Sequence, residues 1–135
     1  MGLFDFFKKD KKQPDWASKL PPEMVELVKL QVKSNPQACS LDEIPQGFGE
    51  FGLEPTNPIP VYGVPGNEFY LSSLVLKDGS SFRWRRIGSI QVDNIHSPID
   101  KYEIFNLKGI SLGYLYISPY HWKTSEKCPR DFKFK

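Results

Sequence analysis

The sequence predicts one α+β domain: a mostly antiparallel, curved sheet covered by one main N-terminal helix and a long Pro/Gly loop. Three observations carry that prediction. Only residues 22–34 show a sustained helical period. Of the twelve prolines, only Pro98 falls between Gly66 and Ser118. From Glu68 onward, apolar runs alternate with turn pairs such as Asp78-Gly79 and Lys108-Gly109. A chain of 135 residues fits one domain and is too short for two ordinary ones. Residues 1–14 read as an amphipathic, basic appendage and 15–135 as the domain, with a β core at about 66–118.

The N-terminal segment Met1-Gly2-Leu3-Phe4-Asp5-Phe6-Phe7-Lys8-Lys9 is apolar and then basic, the reverse of a secretory signal. Phe6 occupies the position where a myristoylation signal needs Ser or Thr. In helical form Leu3, Phe4 and Phe7 would share a face, which allows a weak membrane-surface contact by residues 1–12. The simpler reading, a short helix against the body or a frayed end, is preferred. Pro22 then opens the main helix, whose apolar stripe is Met24, Leu27, Val28 and Gln31, with Glu23, Glu26, Lys29 and Lys33 on the wet side. Asn35-Pro36 ends it. Ser40-Leu41-Asp42-Glu43 fits a capping box that starts a second, short helix, stopped by Pro45 and Gly47.

Residues 45–66 hold ten prolines and glycines and are expected to be loop, with a short edge strand at 59–64. Phe69–Leu76 is expected to be a strand joined through Lys77-Asp78-Gly79-Ser80 to a partner at 81–92, with a bulge at Gly88. Tyr102–Leu107 and Ile110–Ser118 form a second hairpin. Apolar residues on both faces of 69–76 point to a doubly covered strand. The basic tail after Pro119 is expected to be irregular.

The +2 net charge resides in residues 1–12; from Gln13 onward fourteen cations balance fourteen carboxylates. A neutral body disfavours nucleic acid as the partner. Cys39 and Cys128 are too few for a disulfide framework. With no export signal, the expected compartment is the cytoplasm, with both cysteines reduced. Lysine and arginine around Cys128 would favour its thiolate, but a small buried hydrophobe is the preferred reading.

Gly47-Phe48-Gly49-Glu50-Phe51-Gly52 matches the dinucleotide fingerprint by letter. That chemistry needs a strand before the glycines and a helix after them, and Leu53-Glu54-Pro55 opens a helix poorly. The glycines are read instead as turn formers, with Phe48 and Phe51 plugged into the body. Tyr120, His121, Trp122 and Ser125 follow a predicted strand end, where sites often lie. With Asp100, His121 and Ser125 make a triad on paper, but no nucleophile elbow or oxyanion hole has a local signature. The two cysteines and two histidines lack ligand-pair spacing, so no metal is expected, and no cofactor either. Arg83, Arg85 and Arg86 on a strand, with Trp84, are able to grip an anion or a single-stranded base. Asp78, Asp93, Asp100 and Glu103 are placed to pair with them, and pairing is preferred.

Ile44-Pro45-Gln46-Gly47-Phe48-Gly49-Glu50-Phe51-Gly52, then Thr56-Asn57-Pro58-Ile59-Pro60-Val61, resembles a pattern recurring in small bacterial proteins. There it precedes a Tyr70-Leu71 strand, an Arg86-x-Gly88-Ser89 step and a late Tyr120-His121-x-x-x-Ser125 motif. The resemblance covers residues 44 to about 132. It implies that loop and late histidine form one structural unit, and it implies no particular activity.

The functional expectation is protein–protein contact by an adaptor or immunity-like module. It rests on the aromatic surplus, with Trp16, Trp84 and Trp122 as possible anchors, and on the neutral body. The runner-up is a small hydrolase or ligand site around His121. A third reading is single-stranded nucleic-acid or anion binding through Arg83, Arg85 and Arg86.

Overall fold

The computed structural model describes residues 41–135. The expected segments 1–14 and 22–34, and with them Trp16, Cys39 and Ser40, lie outside the described residues. The described chain runs β1 (Ile59–Pro60), α1 (Val64–Ser72), β2 (Leu74–Leu76), β3 (Arg83–Ile90), β4 (Ile99–Phe105), β5 (Ser111–Ser118) and β6 (Phe132–Phe134). Four strands form a mixed sheet in the order β1-β5-β4-β3, and β2 pairs with β6 in a second, two-stranded sheet. The class is therefore α+β, as the sequence predicts.

Strands β3, β4 and β5 are antiparallel neighbours, whereas β1 lies parallel to β5 at the edge. A two-residue strand ending in proline suits an edge, where a missing N–H leaves no central ladder broken. The β4–β5 hairpin forms where Lys108-Gly109 predicts it. Its turn is tied by Asn106, whose Oδ1 accepts from the Lys108 and Ile110 amides at 3.0 and 2.9 Å. The β3–β4 register shifts between Arg86 and Gly88, which is the expected bulge. Gly88, at φ 157°, takes up the extra residue.

The expected strand 69–76 is helix over its first four residues, and only Leu74–Leu76 is strand. Pro65 sits in the first turn of α1, where its missing N–H has no helical partner to lose. Gly66, Asn67, Tyr70 and Leu71 are the buried side, a 3.6-residue spacing, while Phe69 is exposed. Apolar letters on both parities thus belong to a helix stripe followed by the three-residue β2. The Lys77–Ser80 turn does form: Asp78 Oδ1 accepts from the Ser80 amide at 2.9 Å. The chain then leaves for the other sheet, so β2 pairs with β6 rather than with the 81–92 segment, and β3 pairs with β4. The tail is accordingly not all irregular, and the 66–118 core is not all β.

The second short helix is absent as well. Leu41–Glu43 is a bend, and the Glu43 carboxylate, expected to reach back to the cap, pairs with Lys127 at 2.7 Å instead. The Asp42 carbonyl accepts from Ser125 Oγ at 2.7 Å, and its carboxylate accepts from the Glu126 amide at 2.9 Å. That amide bond is the main reason its carboxyl lies below the usual carboxylate range.

The main core packs α1, β2 and β6 against the inner face of the large sheet. Ile59, Ile104, Leu115 and Ile117 from the sheet meet Tyr70, Leu71 and Leu74, with Phe82 between. Phe132 crosses Phe82 edge-on at 5.4 Å. A smaller cluster of Ile44, Ile95 and Ile99 covers one end of the outer face. No helix among the described residues is long and apolar enough to cross a membrane.

Candidate functional site

The glycines of the 47–52 loop answer to intramolecular neighbours. A side chain at Gly47 would collide with the Asn57 amide, one at Gly49 with the Glu54 carboxylate, and one at Gly52 with Ile59 and Pro129. Gly49 and Gly52 also have φ of 93° and 73°, where glycine carries no steric cost. Asn57 binds the loop from within: its Nδ2 donates to the Gly49 carbonyl at 2.9 Å, and its own carbonyl accepts from the Gly52 amide at 2.7 Å. No helix follows, so the dinucleotide reading fails on geometry. Phe51 is buried as expected. Phe48 is not: it is exposed and borders a shallow cleft of about 380 Å3 with Thr56 and Asn94.

The late motif folds onto the loop. The His121 amide donates to the Val61 carbonyl, and the Ser125 amide donates to the Pro60 carbonyl. His121 is buried, with Nε2 at 3.0 Å from Ser118 Oγ. Burial lowers its pKa to about 4, so the ring is neutral at pH 7. Ser125 Oγ gives its proton to the Asp42 carbonyl and accepts from the Lys127 amide at 3.1 Å. Trp122 is buried against Tyr62, ring centroids 5.0 Å apart. Burial raises the Tyr120 phenol above its ordinary value. Loop and late histidine thus form one unit, as the resemblance implies. The Ser125 hydroxyl is spent on backbone, and Asp100 is bonded elsewhere.

Asp100 is the centre of a buried polar network. Its Oδ2 accepts from Asn67 Nδ2 at 2.7 Å, and its Oδ1 accepts from Arg86 at 2.9 Å. The same Asn67 nitrogen donates to the Tyr102 hydroxyl at 3.2 Å. Burial outweighs that bond and raises the Tyr102 phenol. Above the network, Trp84, Arg86 and Tyr102 line a cleft of about 460 Å3 against Val64, Pro65 and Glu68 of α1. Arg85 pairs with Glu103 at 2.8 Å. Two of the three arginines are therefore paired across the sheet, while Arg83 has no carboxylate partner among the described residues. No cluster of His, Cys, Asp and Glu able to hold a metal occurs among them. Burial raises the Cys128 thiol, against the thiolate its flanking cations would favour.

The outer face of the sheet presents a surface that no residue-by-residue motif exposes. Strand alternation sends Leu115, Ile117, Tyr102 and Ile104 inward. It sends Tyr114 and Tyr116 of β5, Lys101, Glu103 and Phe105 of β4, and Arg83 and Arg85 of β3 outward, while Leu112 is the extra residue of the β4–β5 register shift and is exposed. Leu107, Ile110, Leu112 and Tyr114 are 59, 58, 49 and 41% exposed. The available signal was the register of the β4–β5 hairpin: it decides which of two apolar sets meets water.

Neither a protein-family model, nor a curated protein, nor a solved structure matches this chain.

Proposed function

We propose that this chain is a protein-binding module of the bacterial cytoplasm, adaptor-like or immunity-like, and that the outer face of the β4–β5 hairpin is its contact surface. The exposed aliphatic and aromatic run from Leu107 to Tyr114 carries the reading. Four large apolar residues left exposed along one hairpin are more than scattered surface leucines, and exposed apolar surface of this extent marks interaction sites. The turn is tied by Asn106, Arg85 is held by Glu103, and Lys101 Nζ rests 4.2 Å from the Tyr114 ring centroid. Side chains fixed before contact lose less entropy on binding.

A photo-crosslinking residue in place of Leu112, with one at exposed Ser81 as control, tests the proposal in bacterial cells. Discrete protein adducts from position 112 and none from 81 are expected. Equal adducts from both positions would sink it.

A further inference from the structure

The charges around the hairpin identify the chemistry of what it holds. Residues 41–135 carry eleven cations and eleven carboxylates. The outer face and its turn nevertheless hold Arg83, Arg85, Lys101 and Lys108 against the single carboxylate of Glu103. Glu103 is fully used within the face: Oε1 accepts from Arg85 at 2.8 Å and Oε2 accepts from Ser111 Oγ at 2.8 Å. Arg83 and Lys108 have no carboxylate partner among the described residues. Arg83 sits in register with Phe105, which pairs with Ser111, next to Leu112; Lys108 lies between Leu107 and Gly109 in the turn. Two unanswered cations thus bracket the aliphatic patch.

Resting on the contact surface proposed above, we infer that its occupant is a segment of another protein that presents aliphatic side chains flanked by carboxylates. The aliphatic groups would cover Leu112 and Tyr114, and the carboxylates would answer Arg83 and Lys108. A second copy of this chain fits poorly, because two-fold pairing of this face sets its excess positive charge against itself. Single-stranded nucleic acid fits poorly too. Lys101 already lies over Tyr114, and Arg85 Cζ lies 5.6 Å from the Phe105 ring centroid, so the flat rings a base would stack on are occupied.

The test is selection of random dodecapeptides displayed on phage against the full chain, followed by fluorescence anisotropy on a synthetic copy of a recovered peptide. Recovered peptides should combine Asp or Glu with Leu, Ile or Val. Their affinity should fall about tenfold or more in Arg83→Glu/Lys108→Glu, and comparably in Leu112→Ser, with circular dichroism unchanged. Basic or uncharged peptides that still require Leu112 would overturn the acidic partner while leaving the contact surface standing. Peptides indifferent to both Leu112→Ser and Tyr114→Ser, or recovery of none, would overturn the surface itself. Sedimentation with phosphatidylserine vesicles, or retention of oligothymidylate, through these same residues would replace the protein partner by a lipid or nucleic-acid one and overturn the inference.

Discussion

The two faces of the four-stranded sheet are built from the same strands and serve opposite ends. Inward, Leu115 and Ile117 have no solvent contact, and Asp100 is admitted only with Asn67 and Arg86 to satisfy its oxygens. Outward, Tyr114, one residue before Leu115, and Leu112, three before it, remain wet. The inner face holds Asp100 with both carboxylate oxygens bonded. The outer face carries apolar groups that nothing among the described residues covers. Burial of apolar surface stabilises a fold, so an exposed apolar face adds nothing to that burial.

The largest test of that contrast compares two truncations. Ile117→Ala should cost about 2–5 kcal/mol in urea unfolding, the price of an emptied core site, whereas Leu112→Ala should stay within about 0.5 kcal/mol. A comparable loss at Leu112 would mean the outer face is covered after all.

Acid comes next. His121 stays neutral in the fold down to a pKa of about 4, while in the unfolded chain it titrates near 6.5. The unfolded state therefore takes up the proton first. Stability is intact above pH 6.5 and falls by about 3 kcal/mol as the pH drops through that window. Unfolding free energies between pH 7 and 4 should show the slope, and His121→Gln should flatten it. An unchanged slope in that variant would place the acid sensitivity elsewhere.

Asp100→Asn should cost about 2 kcal/mol, because it removes the charge and leaves one acceptor oxygen where Asn67 and Arg86 use two. The half-exposed Arg86 limits the loss. Smallest of all, Arg85→Ala on the outer face should cost under about 1 kcal/mol, since the pair with Glu103 is solvent-screened. If Arg85→Ala proves the costlier of the two, the inner network is not what anchors the sheet.

Local signals were legible in the sequence where local physics decides. Gly109 and Asn106 build the β4–β5 turn, Gly88 marks the bulge, and Pro60 marks an edge. Asp100 and Glu103 pair with arginines because cross-strand neighbours are set by one hairpin register. Where a distant segment decides, reading failed. Phe69 to Leu76 holds apolar residues on both parities, and only Pro65 hinted at a helix. Glu43 has the letter a capping box needs, yet Lys127 takes its carboxylate. Phe132 and Phe134 look like tail until β2 is there to pair with them. The exposed apolar set was missed for the same reason: Leu112 and Leu115 are equally apolar, and their opposite fates follow from register.

The tail has a consequence for the order in which the molecule assembles. Residues 118–135 supply bonds to Asp42, to Pro60 through Gly63, to Tyr70, and to the whole of β2. These contacts span most of the described chain, and such long-range closure slows folding. The loop 45–63 and the strand β2 therefore close only against residues 118–135. The β3–β4–β5 meander pairs neighbours in sequence, and it is the part able to form before that closure.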